Sequence, residues 1–113
     1  MGLNDLKPSV KLTIENPSSQ ANAVFGPGIA ALCKGVRDTG SLNAAAKNLG
    51  MAYSKAWRII KETEDSLDIQ LLVRDGAHGS TLTDDCLQLL DAYALLKKKM
   101  QTTGEDTYRK LLS

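Results

Sequence analysis

Apolar residues recur along this chain at two periods, and each period predicts a kind of element. Val10, Leu12 and Ile14 alternate with Lys11 and Thr13, the two-residue period of a half-buried strand. Glu15 to Asn22, with Pro17 inside it, reads as a polar turn, and Ala23 to Phe25 as a second short strand that completes a hairpin. The period then lengthens. Ile29, Leu32, Cys33 and Val36 form one helical stripe over Ile29 to Asp38, launched by Gly26-Pro27-Gly28 and stopped by Thr39-Gly40.

The stretch from Ser41 to Leu67 organises the rest. It predicts a short Ala-rich helix over Leu42 to Leu49, a break at Gly50, and a second helix from about Ala52–Ser54 to Leu67. Ser41 is placed to cap the first helix. Ala45 and Ala46 are small enough for a close helix crossing, and Leu49, Met51, Ala56, Ile59 and Ile60 would fill the wedge. A short helix, a glycine turn and a second helix with a basic start is the helix-turn-helix pattern of DNA readers. Ile69 to Arg74 then reads as a strand, Asp75 to Ser80 as a glycine-rich tip, and Thr81-Leu82 as a brief return, which together make a wing. Thr83 caps a last helix whose broad apolar stripe (Cys86, Leu89, Leu90, Tyr93, Leu95, Leu96) exceeds what one small domain needs and points to a two-fold helix pair. Thr102 to Glu105 is expected to interrupt that helix. The fold expected is mainly α with small β-hairpins. Residues 1–9 would be a flexible start, 10–100 the winged helix-turn-helix with its C-terminal helix, and 101–113 a short tail or an extra helical turn.

Composition adds location more than class. The 113 residues carry a net charge of only +1, yet Lys34, Arg37, Lys47, Lys55, Arg58 and Lys61 stand against Asp38 alone before Glu62, Glu64, Asp65 and Asp68 follow. A basic block ending in an acidic one places phosphate on one face and solvent or a partner on the other. The two cysteines, Cys33 and Cys86, have no metal-site spacing and fall at apolar helical positions, so they read as small buried hydrophobes. There is no long apolar run and no signal-peptide core, so the expected compartment is the cytoplasm, with no membrane partner. One histidine and short acidic runs assemble no catalytic set, and no cofactor or metal is expected. The glycines at 26 and 28 fit neither glycine-rich nucleotide fingerprint.

Specific runs carry a family resemblance. Phe25 to Gly28 (FGPG), Thr39 to Trp57 (TGSLNAAAKNLGMAYSKAW), the LLV at 71–73, a glycine-rich tip and Leu82-Thr83 resemble the DNA-binding domain of molybdate-responsive, ModE-type regulators. The middle section is more loosely similar to LysR-type helix-turn-helix domains. The resemblance spans about Val10 to Leu96 and implies a homodimer that binds double-stranded operator DNA through a winged helix. The wing tip here, DGAHGS, is shorter than the glycine tract that family often shows. The chain ends at Ser113, leaving no room for the family's oxyanion-binding domain, so molybdate sensing is not carried over, although a link to metal-oxyanion gene control is.

The DNA-facing residues expected are Ser41, Asn43, Tyr53, Ser54, Lys55, Arg58, Lys61, Arg74 and His78. Ser54, Arg58 and Lys61 share a helix face. Arg58 is placed to read guanine, whereas Lys55 and Lys61 would meet phosphates. Ser41 and Asn43 could hold a phosphate at the helix start, though capping alone explains Ser41. Tyr53 is divided between backbone contact and packing, Trp57 belongs to the inward stripe, Arg74 sits at the wing base, and His78 at its tip is either a contact or solvent-facing. The reading is therefore a sequence-specific transcription regulator and not an enzyme. One rival is a protein-interaction winged helix working through Glu62 to Asp68 and the final helix. Another is a small redox or metal sensor using Cys33, Cys86 and His78.

Overall fold

The computed structural model describes residues 1–76 and 79–113. Four helices, α1 (Pro27–Thr39), α2 (Leu42–Asn48), α3 (Tyr53–Leu67) and α4 (Asp84–Leu112), surround a two-stranded antiparallel hairpin of β1 (Leu72–Asp75) and β2 (Gly79–Leu82). The fold is thus a winged helix-turn-helix, as the periodicities predict. The core is one cluster in which Phe25, Leu32, Cys33, Val36, Leu42, Ile60, Leu71 and Cys86 are almost wholly buried. The apolar stripe of α1 lies at its centre.

The start of each helix follows from local chemistry. Pro27 at the first position of α1 has no N–H to leave unpaired. Ser41 Oγ accepts the Ala44 N–H at 3.1 Å, and Thr83 Oγ1 accepts the Cys86 N–H at 3.1 Å, so both expected caps are made. Between α2 and α3, Gly50 takes a φ of 67°, a left-handed turn that costs glycine nothing. Met51 N–H then reaches back to the Ala46 carbonyl at 2.9 Å and closes the turn. Leu49 does not join the wedge: it stands 46% exposed beyond the end of α2. The close crossing uses Ala45 against Gly35 of α1, where a Cβ on the glycine would stand 2.7 Å from the alanine Cβ.

Two other expectations are corrected. The N-terminal hairpin reduces to a single bridge, Ile14 with Phe25. Val10, Leu12 and Ile14 do alternate half-buried with exposed neighbours, so the period is right but the pairing is not. The backbone that a partner strand would take goes to α4 instead. Gln101 accepts the Val10 N–H at 2.8 Å and donates to the Pro8 carbonyl at 2.8 Å, while Tyr93 OH donates to the Leu12 carbonyl at 3.1 Å. The same docking explains the second correction. α4 runs through Thr102 to Glu105 without a break, because Gly104 gives Val10 its seat: a Cβ there would lie 3.3 Å from Val10 Cγ2. A helical glycine costs only about 1 kcal/mol relative to alanine, less than the packing gained by burying this strap. The segment at 1–9 includes a 3-10 turn at Leu3–Asp5, and Tyr108 OH donates to the Leu3 carbonyl at 2.8 Å. No helix among the described residues is long and apolar enough to cross a membrane.

Candidate nucleic-acid interface

The candidate interface is built where α2, α3 and the wing meet. Its frame is set by two residues outside the basic stripe. Glu64, one turn before the end of α3, is almost buried and turns its carboxylate onto the chain entering the wing. One oxygen accepts the N–H groups of Leu71 at 2.7 Å and Leu72 at 3.3 Å, and the other lies 3.3 Å from Lys61 Nζ. β1 begins at Leu72 and not at Ile69: the Ile69 N–H still reaches back to the Glu64 backbone carbonyl at 3.3 Å, and the Leu71 N–H is taken by the Glu64 side chain. Ser80 fixes the other strand, its N–H donating to the Gly40 carbonyl at 2.8 Å. The returning strand is accordingly longer than Thr81-Leu82 and pairs Arg74 with Ser80 and Asp75 with Gly79.

On this frame the expected residues fall into two adjoining sites. Ser41, Asn43, Tyr53 and Arg74 line an open cleft of about 490 Å³ together with Gly79 and Ser80. Arg58, Lys61 and Arg74 line a second opening of about 430 Å³ with Trp57. Arg74 belongs to both. Ser54 and Lys55 are exposed on the first turn of α3 and line neither. His78 lies outside the described residues.

Trp57 departs from expectation. Ala56 and Ile60 are fully buried, but Trp57 is only half-buried, because it sits one residue off their stripe. Its indole N–H donates to Tyr53 OH at 2.6 Å, and the two rings meet edge to face at 6.4 Å. Lys61 Nζ lies 5.0 Å and the Arg74 guanidinium 5.1 Å from the centre of the indole ring. Tyr53 is therefore both exposed and packed. The spacing Tyr53, Trp57, Lys61 was available in the sequence as an i, i+4, i+8 row. What the sequence did not show is that Arg74 returns from the wing to the same ring.

Among the described residues, no three or more His, Cys, Asp or Glu side chains gather as metal ligands. Cys33 and Cys86 are both free and buried. The Cys33 S–H donates to the Cys86 sulfur, and this bond together with burial holds the Cys33 thiol far above the usual range, while the same bond pulls Cys86 down against its own burial. The pair lies inside the core.

Comparison with known proteins bears on this geometry. No match is found among curated proteins. Among solved structures, the CbnR DNA-binding domain in a crystal structure of its complex with DNA is similar to this chain, with a TM-score of 0.58 and 25% identity over 76% of this chain and 97% of that one. The profile of bacterial regulatory helix-turn-helix proteins of the lysR family matches residues 31–87, the span from α1 through the wing to the start of α4. The ModE-type resemblance has no counterpart in these matches. The chain belongs to the lysR family of bacterial regulatory helix-turn-helix proteins.

Proposed function

We propose that this protein is a sequence-specific transcription regulator of the cytoplasm that binds double-stranded operator DNA as a homodimer. The observation that carries the reading is the exposed first half of α3, with Ser54, Lys55 and Arg58 outward, standing beside a wing that bears Arg74. A helix of this kind enters the major groove with its N-terminal residues toward the base edges. Arg58 reads a base there, Ser54 assists, and Lys55 and Lys61 meet phosphates. Ser41, Asn43, Tyr53 and Arg74 line the cleft alongside and face the DNA backbone, with His78 at the wing tip as a further contact. The similarity to a DNA-binding domain seen on DNA supports this use of the surface.

The dimer rests on α4. Its middle exposes Leu95, Leu96 and Met100, an apolar face on a 29-residue helix about 43 Å long. Two copies paired there present two recognition helices to half-sites about 34 Å, or a multiple of that, apart. The FGPG and GSLNAAAKNLGMAYSKAW runs support a ModE-type member and a role in metal-oxyanion gene control. The protein-interaction alternative loses part of its surface, since Glu64 is spent inside the fold.

A mobility-shift titration against the protein's own upstream region tests the reading. Arg58→Ala is expected to cost about 1–3 kcal/mol and to blur preference at one base position. Lys55→Ala should weaken all sequences alike and lower the salt slope by about one phosphate. Equal affinity for every duplex, unchanged by Arg58→Ala, would sink sequence-specific readout.

A further inference from the structure

Three cations and one aromatic ring meet where α3 faces the wing. Lys61 and Arg74 each lie about 5 Å from the Trp57 ring centre, so the two charges are no more than about 10 Å apart, and Arg58 borders the same opening. Among the described side chains, the carboxylate that meets them is Glu64, 3.3 Å from Lys61, and its other oxygen is committed to the Leu71 and Leu72 N–H groups. Like charges held this close favour an anion between or above them. What keeps them together is the indole, whose face attracts both cations, and the indole is itself fixed by its hydrogen bond to Tyr53. Lys61 belongs to the recognition helix and Arg74 to the wing, so Trp57 is the piece that joins the cations of two elements.

We propose that Trp57 is a positioning residue for DNA binding: it holds Lys61 and Arg74 around one opening, so that recognition helix and wing grip the phosphate backbone together. This inference rests on the DNA-binding reading above and adds a residue that touches no base. The indole spends no charge; it removes the rotamer freedom that two long cationic side chains would otherwise lose on binding.

Phosphate contacts are independent of sequence, so a random-sequence duplex serves as the probe. Trp57→Leu should bind it about tenfold more weakly, because neither cation then has a ring face to rest on. Its plot of log affinity against log salt should be shallower by about one phosphate. Trp57→Phe keeps a π-face but, like Trp57→Leu, loses the N–H to Tyr53, and should recover most of the affinity. Because Trp57 is the only tryptophan, its emission should change when the duplex binds to wild type and revert in high salt. Equal loss in both variants, no loss in either, or emission indifferent to bound duplex would overturn the proposal. Should Trp57→Leu fail to fold, Trp57→Phe and the emission titration still decide it. Wild type with no salt-dependent affinity for any duplex would instead remove the DNA-binding reading beneath it.

Discussion

Gly35 of α1 and Ala45 of α2 pack at the limit of contact: a Cβ on the glycine would stand 2.7 Å from the alanine Cβ and 3.2 Å from its Cα. The second distance is to backbone, which cannot swing aside as a flexible side chain would. Gly35→Ala should therefore force the helices apart and destabilise the domain by about 1–3 kcal/mol, despite the better helix propensity of alanine. Denaturant unfolding would show it as a lower midpoint at unchanged slope. A midpoint equal to or above wild type would mean that α2 yields without cost.

Glu64 connects the recognition helix to the wing through two N–H groups at its carboxylate. Glu64→Ala leaves the Leu71 and Leu72 donors unpaired at the edge of the core, and should cost about 1–3 kcal/mol. Glu62→Ala, two residues away on an exposed position, should change stability by less than about 0.5 kcal/mol. Amide exchange at Leu71 and Leu72 would localise the difference. Similar losses from both substitutions would show that the acidic run acts only through its general charge.

The buried thiols make stability depend on pH. In the unfolded chain both cysteines ionise near 9.0, whereas in the fold Cys33 keeps its proton far above that value. Cys86 works the other way: its thiol is pulled below 9.0, so the native state gives up that proton first and stability rises toward about pH 9. Beyond it the native state retains the Cys33 proton that the unfolded chain has lost, and stability falls by about 1.4 kcal/mol per unit. The thermal midpoint of wild type should drop more steeply between about pH 9 and 10.5 than that of Cys33→Ala. Parallel curves for the two proteins would exclude the thiol pair as the cause.

Much of this fold is written locally. The caps at Ser41 and Thr83, the turn at Gly50 and the apolar stripe of α1 each depend on residues within one or two turns, and all four occur as their chemistry dictates. What failed was long-range. The two-residue period of Val10 to Ile14 declares an extended segment with one buried side, but it cannot say whether a strand or a helix covers that side. Here Gln101 and Tyr93 do, from far along the chain. Gly104 misled in the same way, since a glycine that ends a helix and one that admits a neighbour look alike in sequence. At the candidate interface, the common face of Ser54, Arg58 and Lys61 was legible because they lie on one helix. The meeting of Trp57 with Arg74 was not, because it depends on the path of the wing.

That path is held by a bond with no side chain in it. The Ser80 N–H and the Gly40 carbonyl join the wing's returning strand to the corner between α1 and α2, backbone to backbone. Substitutions on the outer face of α3 or along β1 leave this footing in place, because neither of its atoms belongs to a side chain. The outer surface of α3 and the footing of the wing are thus separable characters in this protein: one can drift or be redesigned while the other stays where it is.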